Sequence, residues 1–395
     1  MKHIGRYLIP GIVVVFGLIR LGKPVPQPVV SLTIPESQTI PGTLNLTLPV
    51  QGQTAVMASG IGVMASTPNE TPVPIASVAK LMTAYLVLKH HPLQVGQNGP
   101  TLTMTPTDQS IYEADYASGD SVMKVQAGEQ LTERQLLEGL LLPSGDNIAT
   151  TLADWVDGSE SAFVQEMNQT AKELGMDHTT YTDASGVAPS TVSTALDQLK
   201  IAQADMNIPA FRDIVKMPQA TVPVAGTIIN VDYVLGKDGI VGVKTGSTPQ
   251  AGGCFVSARY QQVGNRNVLL LGAVLGQQGA PSPLMQALDT SALLLQQAGT
   301  NLRTETLPSV GGSYAVVNSK WGDKANLSTS NVPTFIGFPG LKVDAKLIDN
   351  AVPHLPIAKD STIEKLQVTA GAQSQTYGLQ ADAALGKPSL LWKVF

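Results

Sequence analysis

The chain has 395 residues, enough for two or three domains and a sizeable core. Only 14% of them are charged, while 37 are glycine and 27 proline. That composition excludes a coiled coil, a collagen-like chain and a charge-rich disordered protein. A net charge of −5, with no lysine- or arginine-rich stripe, argues against nucleic acid as a partner.

Lys2 and Arg6 precede an apolar run, Tyr7 to Ile19, that Arg20 closes. A charged start before such a run has the shape of an export signal and is short for a membrane-spanning helix. No clean small-x-small cleavage site follows. Residues 1–23 therefore fit a removed signal and a retained anchor equally, and either places the body outside the cytoplasm. Residues 24–50 hold six prolines and a single charge, which predicts an extended spacer. Cys254 is the lone cysteine and can form no intrachain disulfide. Its apolar surroundings, 253–258, predict a buried structural thiol.

The body, residues 51–300, opens with an apolar, glycine-punctuated stretch from Ala55 to Met64 that suits a strand or hairpin. Val78, Leu81, Tyr85 and Leu88 at helical spacing predict a helix over Ser77 to Leu88. Two further helices, Thr132 to Leu142 and Asn147 to Val156, flank the turn Pro143-Ser144-Gly145. Glu160 to Leu174 follows as an amphipathic helix stopped by Gly175. Gly239 to Lys244 and Gly253 to Tyr260 read as an antiparallel pair, Val268 to Leu275 as a third strand, and Leu284 to Ala298 as a closing helix. From about Glu305 short alternating pieces such as Lys365 to Ala370 sit among Gly and Pro. They predict a small β domain over 305–395.

Three short pieces carry chemistry. In Ser77-Val78-Ala79-Lys80 the first and last residues share a helix face. A serine hydroxyl becomes a nucleophile when a base takes its proton, and an uncharged lysine can be that base if desolvation or a nearby cation keeps it so. Taken alone, an ordinary surface helix start explains the motif better. A second Ser-x-x-Lys, Ser121 to Lys124, follows a turn and suits a short strand, where residues three apart face opposite ways. Lys244-Thr245-Gly246 ends an apolar strand and presents a cation, a hydroxyl and an approachable backbone, a set suited to a carboxylate. Alone, an edge-strand lysine before a turn explains it better. Ser144-Gly145-Asp146-Asn147 sits between two helices, where helix capping is the plain reading and proton relay the functional one.

In this order the three pieces are far more specific than any one of them. The chain resembles the penicillin-recognising serine D-alanyl-D-alanine carboxypeptidases, the low-molecular-mass penicillin-binding proteins. Residues 74–84, 136–149, 175–186 and 239–258 carry the likeness, which covers roughly 55–300 and extends more weakly to 305–395. The resemblance implies a mixed α/β (α+β) class: a transpeptidase- and β-lactamase-like body with an antiparallel sheet beside a helical subdomain, plus a small C-terminal β domain. It implies Ser77 as nucleophile, Lys80 as base and Ser144 as proton relay. Lys244, Thr245, Gly246, Ser247 and Asp146 would bind substrate, with the amides of Ser77 and Ser247 as oxyanion hole. No metal or organic cofactor is implied. The implied partners are peptidoglycan stem peptides, β-lactams as covalent inhibitors, and the membrane through the N-terminal segment. A serine β-lactamase and a non-catalytic wall-binding module are the alternatives, although no Glu-x-x-Leu-Asn of the class A type is present.

Two positions depart from the family pattern. Ser247 stands where relatives often carry His or Tyr, and Asp146 where Asn is usual. Asp before Asn-Ile-Ala-Thr is a good helix start, so Asp146 is expected to turn from Lys80 and cap the next helix. The alternatives are a protonated Asp146, or a shifted turn in which Asn147 substitutes. His90, His91, His178 and His354 show no ligand spacing with Asp or Glu and are expected to be solvated or capping.

Overall fold

The computed structural model describes residues 24–349 and 352–394, so the export-signal reading of residues 1–23 lies outside the described residues. Among them no helix is long and apolar enough to cross a membrane. The chain forms two compact units, one spanning Leu44–Arg303 and one built from the segments before and after it.

The larger unit contains a five-stranded antiparallel sheet. Its strands are β1 (Gln53–Ala58), β2 (Gly62–Ser66), β3 (Ile240–Thr248), β4 (Gly252–Val263) and β5 (Arg266–Gln277), in the order β3-β4-β5-β1-β2. Between β2 and β3 the chain forms a 3₁₀ turn, Ala76–Ala79, and seven helices. These are α1 (Lys80–His90), α2 (Pro106–Ser118), α3 (Glu133–Leu141), α4 (Asp146–Asp157), α5 (Glu160–Glu173), α6 (Ala195–Met206) and α7 (Pro209–Val215). Helix α8 (Pro283–Asn301) follows β5.

Side chains alternate across a strand, so the sheet serves two cores. Cys254, Val256, Ala258, Leu271 and Ala273 join the cluster that fills the helical subdomain. Phe255, Leu270 and Val274 are as fully buried but lie outside that cluster. On the same face as these three, Ser257 Oγ meets Ser291 Oγ of α8 at 2.5 Å. With both faces covered, the strands read as continuous apolar runs without polar alternation. Burial pushes the Cys254 thiol up to about 12, which fits packing rather than nucleophilic chemistry.

Helix α3 carries a buried titratable group. Glu133 is fully buried, and neither carboxylate oxygen has a hydrogen-bond partner among the described residues. Burial pushes its carboxyl from 4.5 up to about 7. A carboxyl raised by folding holds its proton more tightly in the folded state. Stability therefore falls as pH rises from about 4.5 to about 7 and is level above that window. Part of the penalty is offset because Glu133 sits in the first turn of α3. Glu133→Gln should change stability little at pH 5 and raise it by about 1–3 kcal/mol at pH 8. Urea denaturation at the two pH values checks this.

The smaller unit corrects the spacer expected at 24–50. Val29–Leu32 and Ser37–Thr39 are strands at the two edges of a seven-stranded antiparallel sheet. Val30 pairs with Val317 at one edge and Gln38 with Val343 at the other. Seven flat strands would separate these edges by about 29 Å. The link from Leu32 to Ser37 spans at most about 18 Å, so the sheet must curl. The β domain predicted from Glu305 is present, but its edges come from the N-terminal side. Trp392 packs edge-on against Trp321 with ring centroids 5.7 Å apart, which docks the C-terminal tail on this sheet's own unit.

Candidate active site

The 3₁₀ turn Ala76–Ala79 runs directly into α1, so Ser77 precedes the first α-helical residue, Lys80, by three positions. Ala76 has φ 48° and Ser144 φ 68°, left-handed backbone that costs a residue with a Cβ on the order of 1 kcal/mol or more. Ala76 immediately precedes the first motif and Ser144 opens the second. Such strain persists only where surrounding contacts dictate the conformation.

Lys80 is completely buried, and its Nζ donates to Ser77 Oγ at 2.9 Å, to the Ser185 carbonyl at 2.9 Å and to Asp146 Oδ1. Three oxygen atoms thus surround Lys80 Nζ. Asp146 does not cap α4: the N-cap is Gly145, without a side-chain cap, and Asp146 is the first helical residue. Its Oδ2 accepts from the Ser121 amide at 3.1 Å, while its own amide donates to the Ser121 carbonyl at 2.7 Å. The expected capping role is overturned because the buried Lys80 needs a counter-charge, which Asp146 supplies from the first position of the helix. Asn147 does not substitute for it. Its side chain exchanges two hydrogen bonds with the Met123 backbone, accepting at 3.0 Å and donating at 2.9 Å, and so fixes the segment that carries Ser121.

Lys244 is equally buried, and its Nζ donates to Ser144 Oγ at 2.9 Å and to the Thr245 carbonyl at 3.0 Å. Burial first, and then the positive charge of Lys80, hold the Lys244 ammonium well below the usual lysine range. Two lysines and one aspartate therefore share one buried cluster. Acidic groups also stand at its margin. Burial, then the Asp146 charge, raises the carboxyls of Asp115 and Asp120.

Strand β3 pairs only with β4, leaving its other edge toward the 3₁₀ turn. A Cβ on Gly246 would lie 3.0 Å from the Ser77 amide nitrogen and 3.0 Å from the Ile75 carbonyl. Glycine is required there because the strand backbone passes directly beside the nucleophile's backbone. Thr245 is buried and Ser247 exposed on the same strand. The 175–186 segment supplies the Ser185 carbonyl to Lys80 and the Ala184 carbonyl to Thr83 Oγ1 at 2.6 Å. Asp183 organises it by accepting from the Gly186 amide at 2.8 Å and from Ser185 Oγ at 2.8 Å.

The structure brings Ser77, Lys80, Asp146, Ser144, Lys244 and Gly246 together. The second Ser-x-x-Lys forms no such pair: Lys124 is exposed, and Ser121 contributes only backbone. Ser121 and Ser185 enter the site through main-chain atoms, which leave no mark in residue identity, and Asn147, named in the sequence only as a stand-in for Asp146, instead braces the Met123 backbone.

A half-buried serine against a buried lysine, beside a lysine-bearing strand edge and between a five-stranded antiparallel sheet and a helical subdomain, defines a penicillin-binding-protein-type serine peptidase. Residues 52–278 match the model of the D-alanyl-D-alanine carboxypeptidase family, and the chain belongs to that family. It is 34% identical over 225 residues to a D-alanyl-D-alanine carboxypeptidase of Streptomyces sp. strain K15, covering 52% of this chain and 73% of that one. A D-alanyl-D-alanine carboxypeptidase of Mycobacterium tuberculosis is 36% identical over 181 residues, 44% of this chain and 62% of its own length. The solved Streptomyces K15 DD-transpeptidase is 27% identical with a TM-score of 0.56, covering 65% of this chain and all of that one. Penicillin-binding protein 5 of Haemophilus influenzae, 22% identical, shares the fold over 87% of this chain with a TM-score of 0.62.

Proposed function

We propose that this chain is an exported serine D,D-carboxypeptidase. It would release the terminal D-alanine from peptidoglycan stem peptides through a Ser77 acyl-enzyme and be acylated by penicillins. The observation that carries this reading is the 2.9 Å contact between Ser77 Oγ and a wholly buried Lys80, set beside the Lys244–Ser144 pair. Ser77 Oγ attacks the penultimate D-alanine carbonyl, and Lys80 Nζ takes its proton. The amides of Ser77 and Ser247 receive the oxyanion. Ser144 hands its proton to the departing D-alanine amine and regains the one that Lys80 took from Ser77, with Lys244 hydrogen-bonded beside it. Lys244 and Thr245 receive the terminal carboxylate, whose charge favours the ammonium form of Lys244 that burial disfavours. Water then cleaves the ester and frees Ser77. Membrane association is assigned to residues 1–23, from their charged and apolar pattern.

The test is D-alanine release from a small peptide ending in D-Ala-D-Ala. The wild-type chain should release one D-alanine per peptide, and Ser77→Ala, which removes a single oxygen, should release none while unfolding at the same temperature. Equal release by both proteins would refute the assignment.

A further inference from the structure

The far ends of α1 and α4, about three turns from the Ser77 site, converge on a second cluster. His90 is the last residue of α1, Asp157 is the last residue of α4, and Glu166 projects from α5. One ligand-type atom from each lies within 4.8 Å of the other two. The His90 Nε2 sits astride the Glu166 carboxylate, 2.8 Å from Oε1 and 2.9 Å from Oε2. Asp157 Oδ2 is buried and has no hydrogen-bond partner among the described residues. Burial first, and then the neighbouring Glu166 charge, raises the Asp157 carboxyl, so the two acids disfavour each other as they stand.

Three sources of negative potential meet here. Two are carboxylates, and the third is the carbonyl ends of α1 and α4, since a helix C-terminus carries about half a negative charge. Lys89 partly answers them, with Nζ 3.3 Å from Glu166 Oε1 and 4.0 Å from Glu173 Oε2, but its side chain is 41% exposed. Glu166 Oε1 is shared by Lys89 and His90, whereas Oε2 faces His90.

We propose that His90, Asp157 and Glu166 form a binding site for a divalent transition-metal ion of the zinc class. One imidazole with two carboxylates suits zinc better than magnesium or calcium, which prefer all-oxygen shells. Bonds of about 2.1 Å to a tetrahedral ion place ligand atoms about 3.4 Å apart, so the histidine and Glu166 open slightly and Asp157 closes in. Water completes the shell. The ion takes the place of the proton between His90 and Glu166, and it pins the C-terminal ends of the two helices whose first residues are Lys80 and Asp146. The site is a staple for the helical subdomain, separate from the chemistry at Ser77.

Titration calorimetry of the full chain with zinc chloride tests this, with Trp155 fluorescence as a second readout, because Trp155 stacks on His91 with ring centroids 4.0 Å apart. One equivalent should bind and raise the unfolding temperature, whereas magnesium and calcium should do neither. His90→Gln and Asp157→Asn should each weaken zinc by at least about tenfold, since even outer-shell changes at metal sites cost that much. Both variants should keep the wild-type rate of acylation by a penicillin. His178→Gln, which alters an exposed histidine elsewhere, should bind zinc normally. Absence of binding by the wild type, or unchanged binding by both His90→Gln and Asp157→Asn, would overturn the site.

Discussion

Lys80→Arg should lower the rate of acylation by a penicillin by roughly 10²–10⁴-fold, the range general-base catalysis contributes. The substitution keeps a cation beside Asp146, so it separates proton transfer from charge pairing. Arginine stays protonated at any pH the protein tolerates and cannot receive the Ser77 proton. The larger head must enter a site with no exposure, which costs about 1–3 kcal/mol of strain. A thermal melt should therefore accompany the kinetics, to show that the variant is folded at the assay temperature. Near-normal acylation by folded Lys80→Arg would mean that Lys80 is a structural cation and the base lies elsewhere.

Asp146→Asn should change the rate of acylation by a penicillin by at least about tenfold. The Asp146 carboxylate contacts Lys80 Nζ directly, so the substitution removes the anion that touches the proposed base. Stability should fall as well. The two Asp146 oxygens accept from Lys80 Nζ and from the Ser121 amide, whereas an asparagine amide offers one acceptor. Whichever way it is set, one buried donor faces an NH₂ group, at about 1–3 kcal/mol. Stopped-flow acylation with a chromogenic cephalosporin, beside a urea melt, decides the matter. An unchanged rate would show that Asp146 does not bear on Lys80 in solution.

The larger unit was legible in the sequence wherever the periodicity was clean. Helices Glu133–Leu141 and Glu160–Glu173 lie within a residue of expectation at each end, and the strands around Val268 and Cys254 ran longer than predicted. Helix α2 left no apolar signature because none of its residues is buried. Its cues were local: the capping box of Thr105 and Asp108, Pro106 at the first position and Gly119 just past the end. Helix α6 was hidden for the opposite reason. It is central, yet Asp197, Gln198 and Asp205 are buried among its apolar residues, which breaks the pattern.

At the site, Ser77, Lys80, Ser144 and Lys244 could be named from three motifs because each motif is short and local. The role of Asp146 could not. Its choice between capping α4 and facing Lys80 depends on a contact 66 positions away, and local helix-start rules favour the wrong answer. The same long-range blindness produced the spacer reading of residues 24–50. Proline-rich composition argues for extended chain, and extended chain is also what the edge of a sheet accepts when the rest of that sheet arrives 300 residues later.

The central claim is that Ser77 forms a covalent acyl-enzyme, activated by Lys80. Intact-protein mass spectrometry during incubation with benzylpenicillin tests it most directly. The wild-type chain should gain the mass of one penicillin and hold it for many minutes, while Ser77→Ala gains nothing. An adduct that vanishes within seconds would point to a β-lactamase. An adduct on Ser77→Ala, or none on the wild type, would contradict the account.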